Sequence, residues 1–286
     1  MRYAVVGGDR RSALLAEMLQ REGHRVHSFA LEKAELPAGI ARDSTLQACT
    51  YGADCVLLPT PAERGGLLYA PLGLVAPPMD EVIGALWPGA LVIGGGFAAA
   101  TVERALREKL RIEDLMRRPD FLQANAAITA EGAIGVLLRE SEKTLLGSRC
   151  LVAGWGRIGK LLTLRLSALG AYVTAAARRR ADRAEAEALG LRALDYGQLE
   201  SIAGELDFVV NTVPARVLSD ALLCCLPGDA LLLELASPPG GFDPLLAQNI
   251  GLRALTAPGL PGKSAPASAA ALLKRTAAQI MQEQEE

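Results

Sequence analysis

Apolar positions along this chain follow two rhythms. Short solid runs of strand length, among them Tyr3-Ala4-Val5-Val6, Cys55-Val56-Leu57-Leu58, Cys150-Leu151-Val152-Ala153 and Phe208-Val209-Val210, alternate with longer stretches where apolar residues recur every three or four, as at Leu162, Leu166 and Leu169. Solid runs suit strands buried on both faces, and the slower repeat suits helices with one apolar side. Their alternation predicts an α/β protein with two doubly wound parallel-sheet domains. In the first half, strands are expected at 3–6, 26–29, 55–58 and 91–93, with a helix through Arg21 and another over 79–86. Residues 63–78, rich in Gly and Pro, read as an irregular loop. In the second half, strands are expected at 149–153, 171–177, near Arg192, at 207–214, at 230–235 and near 252–255. Helices are expected between them, over 181–189 and 196–203 among others.

Two boundaries follow from capping chemistry. Thr129 is a suitable N-cap and Glu131 suits a first helical turn, so a helix running to about Lys143 is expected as the connector between the domains. A terminal alanine-rich helix, capped by Ser264, has an apolar face (Ala269, Leu272, Leu273, Ile280) that is expected to pack on the first domain. The expected division is therefore a flavodoxin-like N-terminal domain at 1–128, completed by the helix at 264–286. A connector follows at 129–145, then a Rossmann domain at 146–263.

The most informative stretch is Gly154-Trp155-Gly156-Arg157-Ile158-Gly159, which stands where a predicted strand turns into a predicted helix. In that context Gly154 permits a tight turn, Gly156 lets the backbone approach a pyrophosphate, and Gly159 lets helix and strand pack closely. About twenty residues on, a protein that binds NAD carries Asp or Glu for the ribose 2′-hydroxyl. Here Ala177 stands there, followed by Arg178, Arg179 and Arg180. Guanidinium groups bind a 2′-phosphate through charge-assisted hydrogen bonds. Two such bonds of about 1.5 kcal/mol each would favour NADP by about a hundredfold. NADP is the expected cofactor.

Gly7-Gly8-Asp9 repeats the strand-to-turn pattern at the amino end without the third glycine, which argues against a second dinucleotide site there. Composition narrows the partners. The 286 residues carry a formal net charge of −2, with no basic excess to meet nucleic acid. No run of about twenty apolar residues is apparent, so no membrane span is expected and the cytoplasm is the expected location. Five cysteines without Cys-x-x-Cys read as reduced core residues. The two histidines, His24 and His27, have no companion ligand cluster, so no metal site is expected.

Several segments together resemble the family of dipicolinate synthase A subunits. They are Gly7-Gly8-Asp9 with Arg11, Asp120-Phe121 with Asn125-Ala126, Thr129-Ala130-Glu131-Gly132-Ala133-Ile134, the glycine fingerprint, and Ala177-Arg178-Arg179. Further along come Asn211-Thr212-Val213-Pro214, Glu234-Leu235-Ala236-Ser237 and Leu260-Pro261-Gly262-Lys263. The resemblance implies NADP-linked oxidation of a dihydrodipicolinate, formed from 4-hydroxytetrahydrodipicolinate by loss of water, during sporulation. It also implies that the partner is a flavoprotein-like B subunit, and a homo-oligomer is expected. Such chemistry asks the protein mainly to position a C–H bond and neutralise two carboxylates. That fits a chain with no histidine after His27, where 2-hydroxyacid dehydrogenases use a histidine as proton relay. On this reading Glu131 and Asp9 are the candidate acid–base groups, and Arg11, Asn125, Thr129 and Lys263 hold the small dicarboxylate. Asn211, Thr212, Val213 and Pro214 line the nicotinamide ribose. Two alternatives stay open: a nucleotide-binding partner protein without turnover of its own, and an NADP-linked reductase of the shikimate-dehydrogenase type. The second would want a Lys–Asp pair, for which Lys33 and Lys109 are the available lysines.

Overall fold

The computed structural model describes residues 1–284. The chain divides into two compact units, Met1–Asn125 joined by the segment from Ala265 onward, and Ala126–Ser264.

In the first unit the strands β1 (Arg2–Val6), β2 (Arg25–Phe29), β3 (Ala41–Arg42) and β4 (Cys55–Leu57) precede a small hairpin of β5 (Glu63–Arg64) and β6 (Leu67–Leu68). Then come β7 (Leu91–Gly94) and β8 (Arg111–Asp114). Apart from the hairpin they form one parallel sheet in the order β3-β2-β1-β4-β7-β8. Without the two-residue edge strand β3 this is the flavodoxin-like order 2-1-3-4-5, and with it the order becomes 3-2-1-4-5-6. The solid apolar runs at β1, β4 and β7 are buried on both faces because helices cover both. The expected irregular loop holds the β5–β6 hairpin, and its Tyr69 carbonyl accepts the Gly8 N–H at 2.8 Å. Helix Ala99–Arg107 and strand β8, which periodicity did not mark, complete the sheet's far edge.

The second unit holds β9 (Arg149–Ala153), β10 (Tyr172–Ala176), β11 (Arg192–Leu194), β12 (Phe208–Asn211), β13 (Leu231–Glu234) and β14 (Arg253–Thr256). They pair in parallel in the order β11-β10-β9-β12-β13-β14, the dinucleotide-binding order 3-2-1-4-5-6. Its topological switch point falls between β9 and β12.

Three expectations need correction. Thr129 does not begin a helix: helix Pro119–Arg139 starts ten residues earlier, because Pro119 suits a first helical position and nothing between it and Thr129 breaks the run. Ser264 does not cap the last helix either; it ends the short helix Leu260–Ser264, and Pro266–Glu283 begins after Ala265 without a side-chain cap. And the cysteines divide: Cys49, Cys55 and Cys150 are buried, while Cys224 and Cys225 are exposed. Burial pushes the Cys55 and Cys150 thiols up to about 12, which keeps both protonated and inert.

Helix Pro119–Arg139 also qualifies the expectation of no span. Its 21 residues include a window of mean hydropathy 1.4, so by length and composition it alone among the described residues could cross a membrane. Much of its apolar content has a simpler cause, since Phe121, Ala126, Ala130, Ala133, Val136 and Leu137 are buried in packed cores. Among the described residues no group of three or more potential metal ligands occurs, and His27 is held by Asp43 at 2.8 Å.

Candidate functional site

The carboxyl ends of β9, β10 and β12 form the candidate cofactor cradle, and the three fingerprint glycines are there for three separate reasons. Gly154 has φ +109°, and a Cβ on it would lie 2.3 Å from the Thr212 hydroxyl. At Gly159 a Cβ would come within 2.0 Å of the Gly154 carbonyl, so helix Arg157–Ala168 can seat against β9 only with glycine there. Gly156 is different. A Cβ there would meet nothing within 4 Å, and the residue caps the helix without a side-chain hydrogen bond. Open space in front of unpaired helical N–H groups is what a pyrophosphate requires. Arg157, exposed at the first helical position, adds positive charge, and Ile158 is half-buried behind it.

Beside the cradle, Ala177 is buried at the end of β10 and donates its N–H to the Leu194 carbonyl. No acid occupies the place of the ribose partner. The three arginines that follow are not equivalent. Arg179 is forked onto Asp182 at 2.8 and 2.6 Å, which holds the Asp182 carboxyl below its ordinary range. Arg178 is exposed, and no hydrogen bond or ion pair holds its side chain among the described residues. Arg183, which sequence reading passed over, is the anchor of this corner. One of its nitrogens donates to the carbonyls of Ala177 and Arg178, both at 2.8 Å, and to Asp195 at 2.7 Å. An arginine one turn inside a helix gives no sequence signal for that role.

Trp155 is buried and contributes a main-chain position to the cradle, while its indole N–H donates to Glu185 at 3.1 Å. Lys160 holds the same carboxylate at 2.7 Å, and the two donors keep Glu185 below the usual glutamate range.

At β12, Thr212 donates its hydroxyl to the Ala153 carbonyl at 2.8 Å, joining this turn to the glycine loop. Asn211 is fully buried. Its amide donates to the Val213 carbonyl at 2.8 Å and to Glu234 at 2.7 Å, and its carbonyl oxygen accepts the Val213 N–H. It therefore shapes the turn that presents Thr212, Val213 and the exposed Pro214. Glu234 was missed as a site residue, although an acid closing the run Leu231-Leu232-Leu233 is itself a signal. The carboxylate is 7 % exposed and also accepts the N–H groups of Ala236 and Gly241, at 2.8 and 2.7 Å.

The residues expected to hold substrate are distributed over both units. In the first, Asp9 caps helix Arg10–Arg21 and takes the Arg11 guanidinium on both oxygens, at 2.9 and 2.8 Å. Arg11, only 8 % exposed, also donates to the Thr60 carbonyl at 2.5 Å, tying the ends of β1 and β4 together. Asn125 is half-buried and Thr129 buried, both already engaged in interactions. In the second unit, Gly132 packs against Leu260 and Ser264, where a Cβ would lie at 3.1 and 3.0 Å, so Thr129 and the exposed Lys263 stand on adjoining elements. Glu131, expected as an acid–base group, stands on helix Pro119–Arg139. It is exposed beside Arg165, at 3.5 Å, and Arg165 lies eight residues along its helix from Arg157, about 12 Å.

Residues 2–116 match the model of the N-terminal domain of the dipicolinate synthase A subunit. Residues 121–223 match the NAD binding domain of the D-isomer specific 2-hydroxyacid dehydrogenases. The chain is 28% identical to the dipicolinate synthase A subunit of Bacillus subtilis (strain 168), over 99% of this chain and 96% of that one. The crystal structure of the Bacillus subtilis dipicolinate synthase A chain superposes with a TM-score of 0.85 at 27% identity, covering 100% of this chain and 98% of the other. That of the A subunit from Bacillus halodurans gives 0.84 at 25%, covering 98% and 97%. A transhydrogenase from Sinorhizobium meliloti shares the fold, with a TM-score of 0.71 at 17% identity, covering 99% and 93%. The likeness carried by the motifs thus extends over the whole length, and the second unit is a nicotinamide-dinucleotide-binding domain of the dehydrogenase type.

Proposed function

With its likeness to dipicolinate synthase A subunits as premise, we propose that this oxidoreductase chain uses NADP to form pyridine-2,6-dicarboxylate in the cytoplasm of a sporulating cell. A flavoprotein-like B subunit would be its partner. The coenzyme reading rests on one observation: open space over Gly156 beside a β10 terminus that carries Ala177 and an unengaged Arg178 instead of an acid.

The bound dinucleotide would supply the hydride acceptor. The main-chain N–H groups that open helix Arg157–Ala168 would receive its pyrophosphate, with Arg157 adding charge. Arg178 would take the 2′-phosphate on a turn that Arg183 holds in place. Thr212, Val213 and Pro214 would line the nicotinamide ribose, held in shape by Asn211 and Glu234.

On the substrate side, Arg11, Asn125, Thr129 and Lys263 are the proposed carboxylate partners. Loss of water from the 4-hydroxy compound gives a dihydropyridine, and removal of two hydrogens from that gives the aromatic diacid. Aromatisation supplies much of the driving force, so the chain's contribution is chiefly binding and orientation. Asp9 is the proposed proton acceptor for the loss of water, since it stands at the carboxyl end of β1, where open sheets bind ligands. Glu131, an exposed carboxylate joined to Arg165 by a single 3.5 Å contact, is the other proposed acid–base group.

The test is to mix 4-hydroxytetrahydrodipicolinate, NADP, this chain and a dipicolinate synthase B subunit. Pyridine-dicarboxylate absorbance should grow together with that of NADPH. A folded mixture that binds NADP yet forms neither product would instead support a nucleotide-binding protein without turnover.

A further inference from the structure

The corner beside Ala177 has fewer free arginines than its sequence has. Arg179 is forked onto Asp182, and Arg183 is committed to the Ala177 and Arg178 carbonyls and to Asp195. A guanidinium takes two oxygens of a phosphate side by side, so a 2′-phosphate held by Arg178 still has a third to satisfy.

Strand register brings another donor to the same place. β10 and β11 pair with Ala176 opposite Leu194, and the Ala177 N–H donates to the Leu194 carbonyl at 3.0 Å. Two residues beyond that pair, on neighbouring chains that run about 4.8 Å apart, stand Arg178 and Tyr196. Arg183 clamps the two turns together, because the Asp195 it holds also caps helix Tyr196–Glu205.

The ring and the hydroxyl of Tyr196 have different surroundings. Half-buried, the ring packs against the apolar cluster that includes Ala153, Ala176 and Leu199. The hydroxyl makes no hydrogen bond among the described residues, yet it is not one of the side-chain oxygens shut from solvent without a partner, which are those of Thr60 and Thr163. It therefore opens outward. Burial raises the phenol above its ordinary value while the Arg178 charge draws it back, so its proton stays on at neutral pH and the guanidinium is near enough to act on it. Asp195 and Asp182 act on it too, and both are already paired with arginines. Arg180, exposed at the start of its helix, is not among the charges that move this phenol.

We propose that the Tyr196 hydroxyl is a second ligand of the 2′-phosphate, donating to it opposite Arg178, and is thereby a determinant of the choice of NADP over NAD. The assignment rests on the NADP reading above.

Titration calorimetry on the full-length chain with NADP, NAD and 2′,5′-ADP tests it. Tyr196→Phe keeps the ring, so it should melt like wild type, weaken NADP and 2′,5′-ADP about tenfold, and leave NAD within about twofold. Combined with Arg178→Ser, it should bind the two coenzymes about equally. In the wild type, saturating 2′,5′-ADP should slow nitration of Tyr196 by tetranitromethane more than saturating 5′-AMP does, as read by peptide mass spectrometry with the exposed Tyr51 as internal reference. Equal weakening of NADP and NAD would put the hydroxyl on the shared adenosine and overturn the proposal. So would an unchanged Tyr196→Phe in a protein that prefers NADP, or a preference lost with Arg180→Ser instead. A wild type that binds NAD as tightly as NADP would overturn the coenzyme reading itself, and this assignment with it.

Discussion

Among single residues, the cradle glycines divide by what surrounds them. A methyl group at position 159 collides with the Gly154 carbonyl at 2.0 Å and has nowhere to go, because both partners are backbone. At position 156 it enters open space. Gly159→Ala should therefore lower the melting temperature of the apoprotein, while Gly156→Ala should melt like wild type yet lose thermal protection by NADP(H); calorimetry with and without coenzyme distinguishes the two. The arginines divide in the same way. Because Asp182 already holds Arg179, Arg178→Ser should weaken NADP binding about tenfold, the worth of one charge-assisted bond of roughly 1.5 kcal/mol, and Arg179→Ser should change it little. Ala177→Asp combined with Arg178→Ser should narrow or reverse the preference over NAD, as titration calorimetry with both coenzymes would show.

Among elements, side chains of helix Arg180–Ala188 tie it to its neighbours, Arg183 to the Ala177 carbonyl after β10 and Glu185 to Lys160 of helix Arg157–Ala168. Glu185 accepts from Lys160 and from the Trp155 indole, and these bonds lower its carboxyl. A carboxyl lowered on folding adds stability that is fully present above its unfolded value and is lost as the pH falls through its folded one. In a Trp87→Phe variant, where Trp155 is the remaining tryptophan, indole fluorescence should therefore change on acidification with a midpoint below that of an ordinary glutamate. Glu185→Gln should abolish that transition.

Over the whole molecule, the chain leaves its first unit, builds the second, and returns, so the last helix belongs with the first strand in folding as well as in space. Ile280 is fully buried, the Tyr3 hydroxyl reaches Met281 at 3.4 Å, and desolvation pushes the Tyr3 hydroxyl up to about 12. Ion pairs Lys274–Glu22 and Arg118–Glu283 fasten the same helix. Ile280→Ala should cost about 2–5 kcal/mol. In urea, the transition reported by Trp87, half-buried against the core of the first unit, should move to lower denaturant, and that reported by Trp155 should stay.

What the sequence by itself determined was whatever depends on neighbours along the chain. Solid apolar runs marked the central strands, since a strand buried on both faces has no polar side to show. The glycine spacing marked the turn from β9 into helix Arg157–Ala168, and Ala177 followed by arginines marked the end of β10, because a strand, its turn and the next helix are contiguous in sequence. Edge strand β8 and helix Ala99–Arg107 escaped notice, being amphipathic or charged where they meet solvent. Thr129 misled for a related reason: capping chemistry describes what a residue can do, and only the run from Pro119 decided that it lies mid-helix. The partnerships were decided by tertiary structure alone. Arg183 on the Ala177 carbonyl, Glu234 beneath Asn211, and Glu131 beside Arg165 join residues from separate elements. Which of several like-charged side chains is spent on a neighbour, and which is left for a ligand, depends on how those elements pack.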